Sequence, residues 1–223
     1  MARATKRAGR DPDEIALMAV SKTKPVGAIV AAYAAGQHLF GENRVQEFES
    51  KLAVLGGRVL DGMKFHMIGH LQSNKAKTAA ELFSAIDSVD SLKLAERLNV
   101  AAESLGKTLD ILIEINVGGE AAKSGIARGS RELDEILEHA GEWKSLRVRG
   151  LMTVPPFTDD PEGARPYFRQ LRELRETIAR RNLSGVALDQ LSMGMSHDFE
   201  VAIAEGSTCV RVGTAIFGER PKP

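Results

Sequence analysis

Cysteine is nearly absent: Cys209 is the only one in 223 residues. One thiol excludes an internal disulfide and fits a reducing compartment. Its apolar neighbours point to a buried, inert thiol rather than a reactive one. A surplus of one charge is absent too, with 30 Lys and Arg against 30 Asp and Glu. That balance excludes general attraction to nucleic acid or to an acidic membrane and leaves only a local basic patch as an exception. No apolar run is long enough to span a bilayer. The basic start, Met1–Arg10, has no apolar segment behind it of the kind a secretory signal needs. A cytoplasmic location is the default expectation. Linker-like composition is also missing, so one domain over residues 1–223 with a sizeable core is expected, against two units of about 100 residues.

What is present is alternation. Short apolar runs mark candidate strands at Ile15–Ser21, His38–Gly41, Lys64–Gly69, Phe83–Ser88, Leu109–Asn116, Val148–Val154, Leu188–Met193 and Cys209–Phe217. Amphipathic stretches between them predict helices at Pro25–Ala35, Arg44–Leu55, Ser73–Leu82, Ser91–Leu105, Ser130–Gly141, Pro161–Asn182 and His197–Glu205. The run L-D-I-L-I-E-I-N-V is apolar almost throughout, as in parallel strands covered on both faces. Asp90 or Ser91 is placed to cap the helix that follows. Beyond Pro161, residues Tyr167, Leu171, Leu174 and Ile178 form one apolar face. Eight strands, each but the last followed by a helix, predict an α/β (β/α)8 TIM barrel, with an open doubly wound sheet as the rival. No helix follows the last strand, and Ala2–Arg10 is placed to cover that gap.

In such a barrel, active-site groups come from the C-terminal ends of the strands. Lys22 ends the first run. Partial desolvation there lowers an ammonium's pKa and frees the amine to attack an aldehyde. The plainer alternative is a lysine snorkelling from a strand end. Lys24 has the same parity, so alternation does not separate the two. M-G-M-S-H-D-F-E, Met193–Glu200, reads as strand, tight turn and helix. Gly194 permits close backbone approach, and Ser196 is placed as a cap on a helix start that attracts anions. A simple capped helix with Phe199 and Ile203 packed inward is the alternative. V-R-V-G-T adds Gly213 and Thr214 beside it, where barrels of this kind bind phosphate. Arg211, inside an apolar strand, requires an acidic side chain or a ligand as partner.

Other junctions carry less. Asn43 is placed to cap a helix, and P-P-F-T-D-D-P, Pro155–Pro161, reads as a stiff rim loop. His70, Asn116, Met152 and Thr153 also fall at strand ends. His66 and His70 have no third partner, so no metal site is expected. V-G-G-E, Val117–Glu120, lacks the full dinucleotide fingerprint. An amine with a phosphate cradle is the combination that pyridoxal 5'-phosphate (PLP) requires.

Together, A-V-S-K-T-K-P, G-E-N-R-V-Q-E, F-H-M-I-G-H-L-Q-S-N-K, I-N-V-G-G-E-A-A-K-S-G, R-G-L-M-T-V, L-S-M-G-M-S-H-D-F-E-V-A-I and G-S-T-C-V-R-V-G-T-A-I-F-G resemble the pyridoxal phosphate homeostasis proteins, the YggS/PROSC family. The segments are in family order and span almost the whole chain. The resemblance implies a PLP-binding barrel like the N-terminal domain of alanine racemase. It puts the aldimine lysine at Lys22, the phosphate contacts at Ser192, Ser196, Gly213 and Thr214, the ring-lining residues at Asn43 and Met152, and the arginine near the pyridine nitrogen at Arg211. Ala2–Arg10 is shorter than the first helix usual in the family, which implies a looser seal on that side and a start assigned late.

The resemblance also bears on activity. An arginine facing the pyridine nitrogen disfavours its protonation and makes the ring a poorer electron sink. Alanine racemase takes a tyrosine base from a second, β-rich domain across a dimer. The sequence in hand stops after strand eight, and Tyr33 and Tyr167 both fall in predicted helices. The expected role is therefore a PLP carrier or buffer in vitamin B6 homeostasis, monomeric, without robust catalysis, with PLP-dependent apo-enzymes as partners. A small PLP-dependent amino-acid racemase is the alternative, and a barrel for some other phosphate ligand is the third. Lys75 and Lys123 are candidates for a second PLP site.

Overall fold

The computed structural model describes residues 1–56, 62–120 and 124–219. Its strands are β1 (Ala16–Val20), β2 (Leu39–Glu42), β3 (Lys64–Met67), β4 (Ala85–Val89), β5 (Leu109–Asn116), β6 (Ile126–Ala127), β7 (Leu146–Met152), β8 (Val186–Met195) and β9 (Cys209–Val212). Between them run α2 (Val26–Ala34), α3 (Val45–Leu55), α4 (Ala76–Leu82), α5 (Leu92–Ser104), α6 (Arg131–His139), α7 (Arg165–Ala179) and α8 (Phe199–Ala204). The chain opens with α1 (Ala2–Arg7), and α9 (Thr214–Phe217) follows β9. Every pairing is parallel, and β4 pairs β5 while β9 pairs β1. The sheet therefore has no open edge among its eight principal strands. It is a (β/α)8 barrel, and the doubly wound alternative is excluded. The two-residue strand β6 is an appendage on β5 that the sequence did not announce.

The apolar runs became strands because helices cover them. Phe40 of β2, Phe65 of β3, Phe48 of α3 and Phe83 after α4 form one aromatic cluster, with the Phe48 and Phe65 ring centroids 4.4 Å apart. All four side chains are buried, and ring contacts of this kind add to the stabilisation from burial alone. Ser91 caps α5 by accepting from the Leu94 N–H, while Asp90 turns to His70. In α7 the fully buried positions are Phe168 and Leu171, and Tyr167 is only half-buried.

The gap beside β9 is filled as expected. Ala4 of α1 joins Ile15, Ile203, Val210 and Val212 in a small separate core. Arg10 then donates to the carbonyls of Ile203 and Ser207.

Several boundaries differ from expectation, three of them near the ends of the last strands and α7. The last strand stops at Val212, because its final partner on β1 is Ala19 and no ladder continues beyond. The chain turns there, with the Ile216 and Phe217 N–H groups both donating to the Gly213 carbonyl. Pro161–Ala164 is a 3-10 turn with Asp160 as its cap, so α7 begins only at Arg165. Finally, α8 starts at Phe199, two residues later than the sequence suggests.

Gly194 is constrained by packing against α8. Its φ is +92°, and an added Cβ would lie 2.5 Å from the Ala202 Cβ. Gly194→Ala combines backbone strain with overpacking and is expected to cost about 2–4 kcal/mol. Chemical denaturation measures this; an unshifted midpoint would show that α8 moves freely away from β8.

Candidate functional site

Where β1 ends, three successive residues take three different tasks. Ser21 is fully buried, Lys22 is half-buried and Thr23 is exposed. Thr23 has φ +63°, a left-handed conformation that costs a β-branched residue about 1–3 kcal/mol. The Glu47 carboxylate holds it there by accepting from the Thr23 N–H at 2.5 Å. The turn separates the two lysines that strand parity could not. Lys22 faces a cavity at the C-terminal mouth of the barrel. Lys24 donates from Nζ to the carbonyls of Phe217, Gly218 and Glu219.

Beneath this turn lies a buried charge network. The Lys51 Nζ, on α3, donates to the Ser21 carbonyl at 2.9 Å and to Glu42 Oε1 at 2.7 Å, and pairs with Glu47 at 2.7 Å. The Ser21 hydroxyl donates to the same Glu42 oxygen at 2.7 Å. Burial pushes the Glu42 carboxyl above its ordinary pKa, and the Lys51 and Ser21 hydrogen bonds oppose this only in part. For Glu47 burial again pushes upward, but the donors Lys51 and Thr23 N–H outweigh it and the net direction is down.

The opposite wall is built on β5, β7, β8 and β9. Arg211 is buried, with 4% of its surface exposed. It donates to the Ser192 hydroxyl at 2.8 Å and to the Thr153 carbonyl at 2.7 Å. No acidic side chain is its hydrogen-bond partner among the described residues; a hydroxyl and a carbonyl acceptor hold it. Its charge sits among Cys209, Asp87 and Glu114. Cys209 is inert, as expected: burial pushes its thiol up to about 12. The Gly213 N–H donates to the Ser196 hydroxyl at 3.2 Å, tying the ends of β8 and β9 together.

The cavity measures about 480 Å³, within the range of small-ligand sites. Lys22, Asn43, Ser196, Arg211, Gly213 and Thr214 all line it. Ser192 and Met152 do not. Both are fully buried; Ser192 lies under the wall as a support for Arg211, and Val154 forms the surface beyond Met152. Two capping expectations are corrected. Arg44 flanks the start of α3, not Asn43, whose backbone packs so closely on Gly69 that a Cβ there would lie 2.4 Å from the Asn43 oxygen. Asp198 flanks α8, not Ser196, and its carboxylate accepts from the Met195 N–H.

Glu114 was missed. It lines the same cavity from the middle of β5, and the signal available was a single acid inside an apolar strand. Asn116, by contrast, donates to the Glu120 carbonyl. On the rim loop, the Thr158 carbonyl contacts the His197 ring nitrogen at 3.1 Å. Lys75 lines a neighbouring cleft that shares Asn43 and His70; Lys123 lies outside the described residues. A larger cavity, about 1250 Å³, opens at the N-terminal ends of the strands around the His66–Asp87 pair. Barrel chemistry belongs to the other end, where the amine and the hydroxyl cradle meet. That donor set fits a ligand carrying both an aldehyde and a phosphate. Among the described residues no group of three or more His, Cys, Asp or Glu is placed to hold a metal, and no helix is long and apolar enough to cross a membrane.

Three kinds of likeness to known proteins accompany this geometry. A family model described as alanine racemase, N-terminal domain, matches residues 2–221. A pyridoxal phosphate homeostasis protein of Aquifex aeolicus (strain VF5) is 46% identical over 218 residues, which is 98% of this chain and 92% of that one. The structure of PipY from Synechococcus elongatus PCC7942 with PLP bound has a TM-score of 0.83 at 38% identity, covering 97% of this chain and 99% of that chain. An alanine racemase of Clostridium difficile 630, at 17% identity and TM-score 0.67, shares the fold over 56% of its length.

Proposed function

Because the chain belongs to the alanine racemase N-terminal domain family, and within it to the pyridoxal phosphate homeostasis proteins, we propose that it binds PLP and acts in PLP homeostasis. One observation carries the reading: a half-buried lysine and a hydroxyl-and-glycine cradle face each other across one cavity of ligand size. PLP, when bound, supplies an electrophilic aldehyde and an electron-withdrawing ring.

The chain's own residues then divide the work. Lys22 is the covalent anchor, presented by the strained Thr23 turn. Ser196, Gly213 and Thr214 receive the phosphate. Asn43 and Val154 bound the space for the ring. Arg211 supplies a fixed cation whose orientation Ser192 and Thr153 set. Ser192 and Met152 serve from beneath the surface.

The role is holding and release rather than robust turnover. Neither Tyr33 nor Tyr167 lines the cavity, so the tyrosine that a racemase would use has no counterpart in this wall. We further propose a single unit over residues 1–223, a monomer in the cytoplasm, with PLP-dependent apo-enzymes as receivers.

Visible absorbance during a PLP titration tests the reading. A yellow band fixed by borohydride is expected in wild type, absent in Lys22→Ala and retained in Lys24→Ala, whose amine is engaged by three carbonyls. No band in wild type would sink the PLP reading. A band that survives in Lys22→Ala would keep PLP but move the anchor. Loss of the α-hydrogen from an added amino acid, with turnover, would favour the racemase.

A further inference from the structure

Glu114 is 5% exposed. Its Oε1 accepts from the Ser124 hydroxyl at 3.0 Å. Its Oε2 is buried and has no hydrogen-bond partner among the described residues. Gly125, at φ +103°, packs against it so closely that a Cβ there would meet the Glu114 Cγ at 3.3 Å. The carboxyl is thus fixed in place, on the wall of the cavity that Lys22 and Arg211 share, with one oxygen in want of a partner.

A buried carboxyl that lacks a partner for one oxygen is a costly anion and a serviceable acid. The groups facing it do not rescue the charge. Asp90, beyond β4, is a like charge, and His70, beyond β3, is engaged with Asp90 at 2.9 Å. Arg211, on β9, is the cation whose field reaches Glu114, but its hydrogen bonds go to Ser192 and Thr153. Lys22 and His197 line the same cavity from β1 and from beyond β8. Ser124, from the segment before β6, is neutral. Burial, joined by Asp90, raises the carboxyl above its ordinary pKa against Ser124, Arg211 and His70. A phosphorylated pyridine aldehyde is itself an anion, so filling the cavity penalises an ionised Glu114 further.

We propose that Glu114 helps hold the ligand as the neutral acid, its Oε2–H donating a hydrogen bond to a lone-pair acceptor on the ligand's ring. The inference rests on the PLP reading above and selects within it: rings that offer an acceptor to the β5 wall are retained, and rings that present a cation-bearing N–H there lose this bond. No carbon–oxygen bond changes at Glu114; the one bond formed is the Oε2–H bond. When the resting carboxyl is ionised, binding draws one proton from solvent.

The neutral form is fully present well below the carboxyl's folded-state pKa and is lost as pH rises through it. Titrating groups other than Glu114 are common to both proteins, so the informative quantity is the ratio of wild-type affinity to that of Glu114→Gln, which keeps the volume and an N–H donor but cannot ionise. Titration with PLP from about pH 5 to about pH 9, followed by the visible band, is expected to show this ratio falling towards tenfold per pH unit above the carboxyl's pKa. Difference infrared spectroscopy of the PLP-loaded protein is expected to show a protonated-carboxyl stretch in wild type that Glu114→Gln lacks. A ratio flat across the range, or no such stretch in loaded wild type, overturns the proposal while leaving PLP binding intact. A Glu114→Gln protein that folds but has lost PLP at every pH also overturns it, because an ionised carboxylate is then required. Absence of the band in wild type and variant alike overturns the PLP reading, and this inference with it.

Discussion

Lys51→Met is expected to destabilise the fold by about 3–5 kcal/mol at neutral pH, the usual effect of removing one partner from a buried ion pair. Methionine keeps most of the apolar stem and removes only the ammonium. The Glu42 side chain has no exposed surface, and one of its oxygens already lacks a partner among the described residues. Without Lys51 it would retain a single donor, the Ser21 hydroxyl. The pH dependence has a definite sign. Burial already raises the Glu42 pKa in the folded state, and loss of the cation raises it further. Stability contributed by the neutral acid is full below the unfolded-state pKa and is lost as pH rises through the folded-state value. The deficit of the variant should therefore grow from acid to neutral pH, which urea unfolding at several pH values measures. Adding Glu42→Gln to Lys51→Met should recover most of the loss. A deficit that stayed the same at all pH values would falsify the claim that ionised Glu42 is its source. A second effect reaches the site: Lys51 also donates to the Ser21 carbonyl, so the turn that presents Lys22 should loosen and PLP capture weaken.

Arg211→Met should carry a comparable cost, again about 3–5 kcal/mol. Three consequences combine. The Ser192 hydroxyl and the Thr153 carbonyl lose their donor. Asp87 and Glu114 lose the cation whose field they share. The guanidinium fork, which spans acceptors on two neighbouring strand ends, is not replaced by any single point charge. For a chain of this size the change corresponds to a fall in Tm of roughly 6–20 °C. Arg211→Lys should recover part of the stability through its charge but not the twin hydrogen bonds. A shift below about 1 kcal/mol in Arg211→Met would mean that the barrel interior readmits water at little cost.

The fold was legible because parallel strands buried on both faces leave continuous apolar runs, as in β5, and because capping residues such as Ser91 punctuate the helices between them. What sequence could not resolve was which side of a turn a residue takes. Lys22 and Lys24 share strand parity, and only the left-handed Thr23 sends one amine inward and the other to the carbonyls of Phe217, Gly218 and Glu219. Ser196 has the side chain of a helix cap, yet a neighbouring strand end supplies the N–H it accepts. Ser192 and Met152 were placed in the cofactor region by family resemblance, but register alone does not show that they lie one layer below the cavity surface. Glu114 was hidden by its setting: in an apolar strand one acid resembles an interruption, and its meaning appears only when the wall it faces is known. The boundary after β9 failed for a related reason. The apolar residues Ile216 and Phe217 suggest a strand, but no neighbouring strand extends far enough to pair with them.

The closure of β1 against β9 has a consequence for biosynthesis. Arg10 and the Ile203 carbonyl it meets are 193 positions apart, and β1 finds its second neighbour only at a similar distance. At a synthesis rate of about 5–20 residues per second, the first strand waits roughly 10–40 s on the ribosome before its outer partner is made. Throughout that interval the nascent chain carries an unpaired β1 edge, with Val20 and Lys22 presented before the cradle that receives phosphate has been translated. The phosphate cradle is therefore available only after β8 and β9 have been made, and the nascent protein is the form most in need of protection from aggregation.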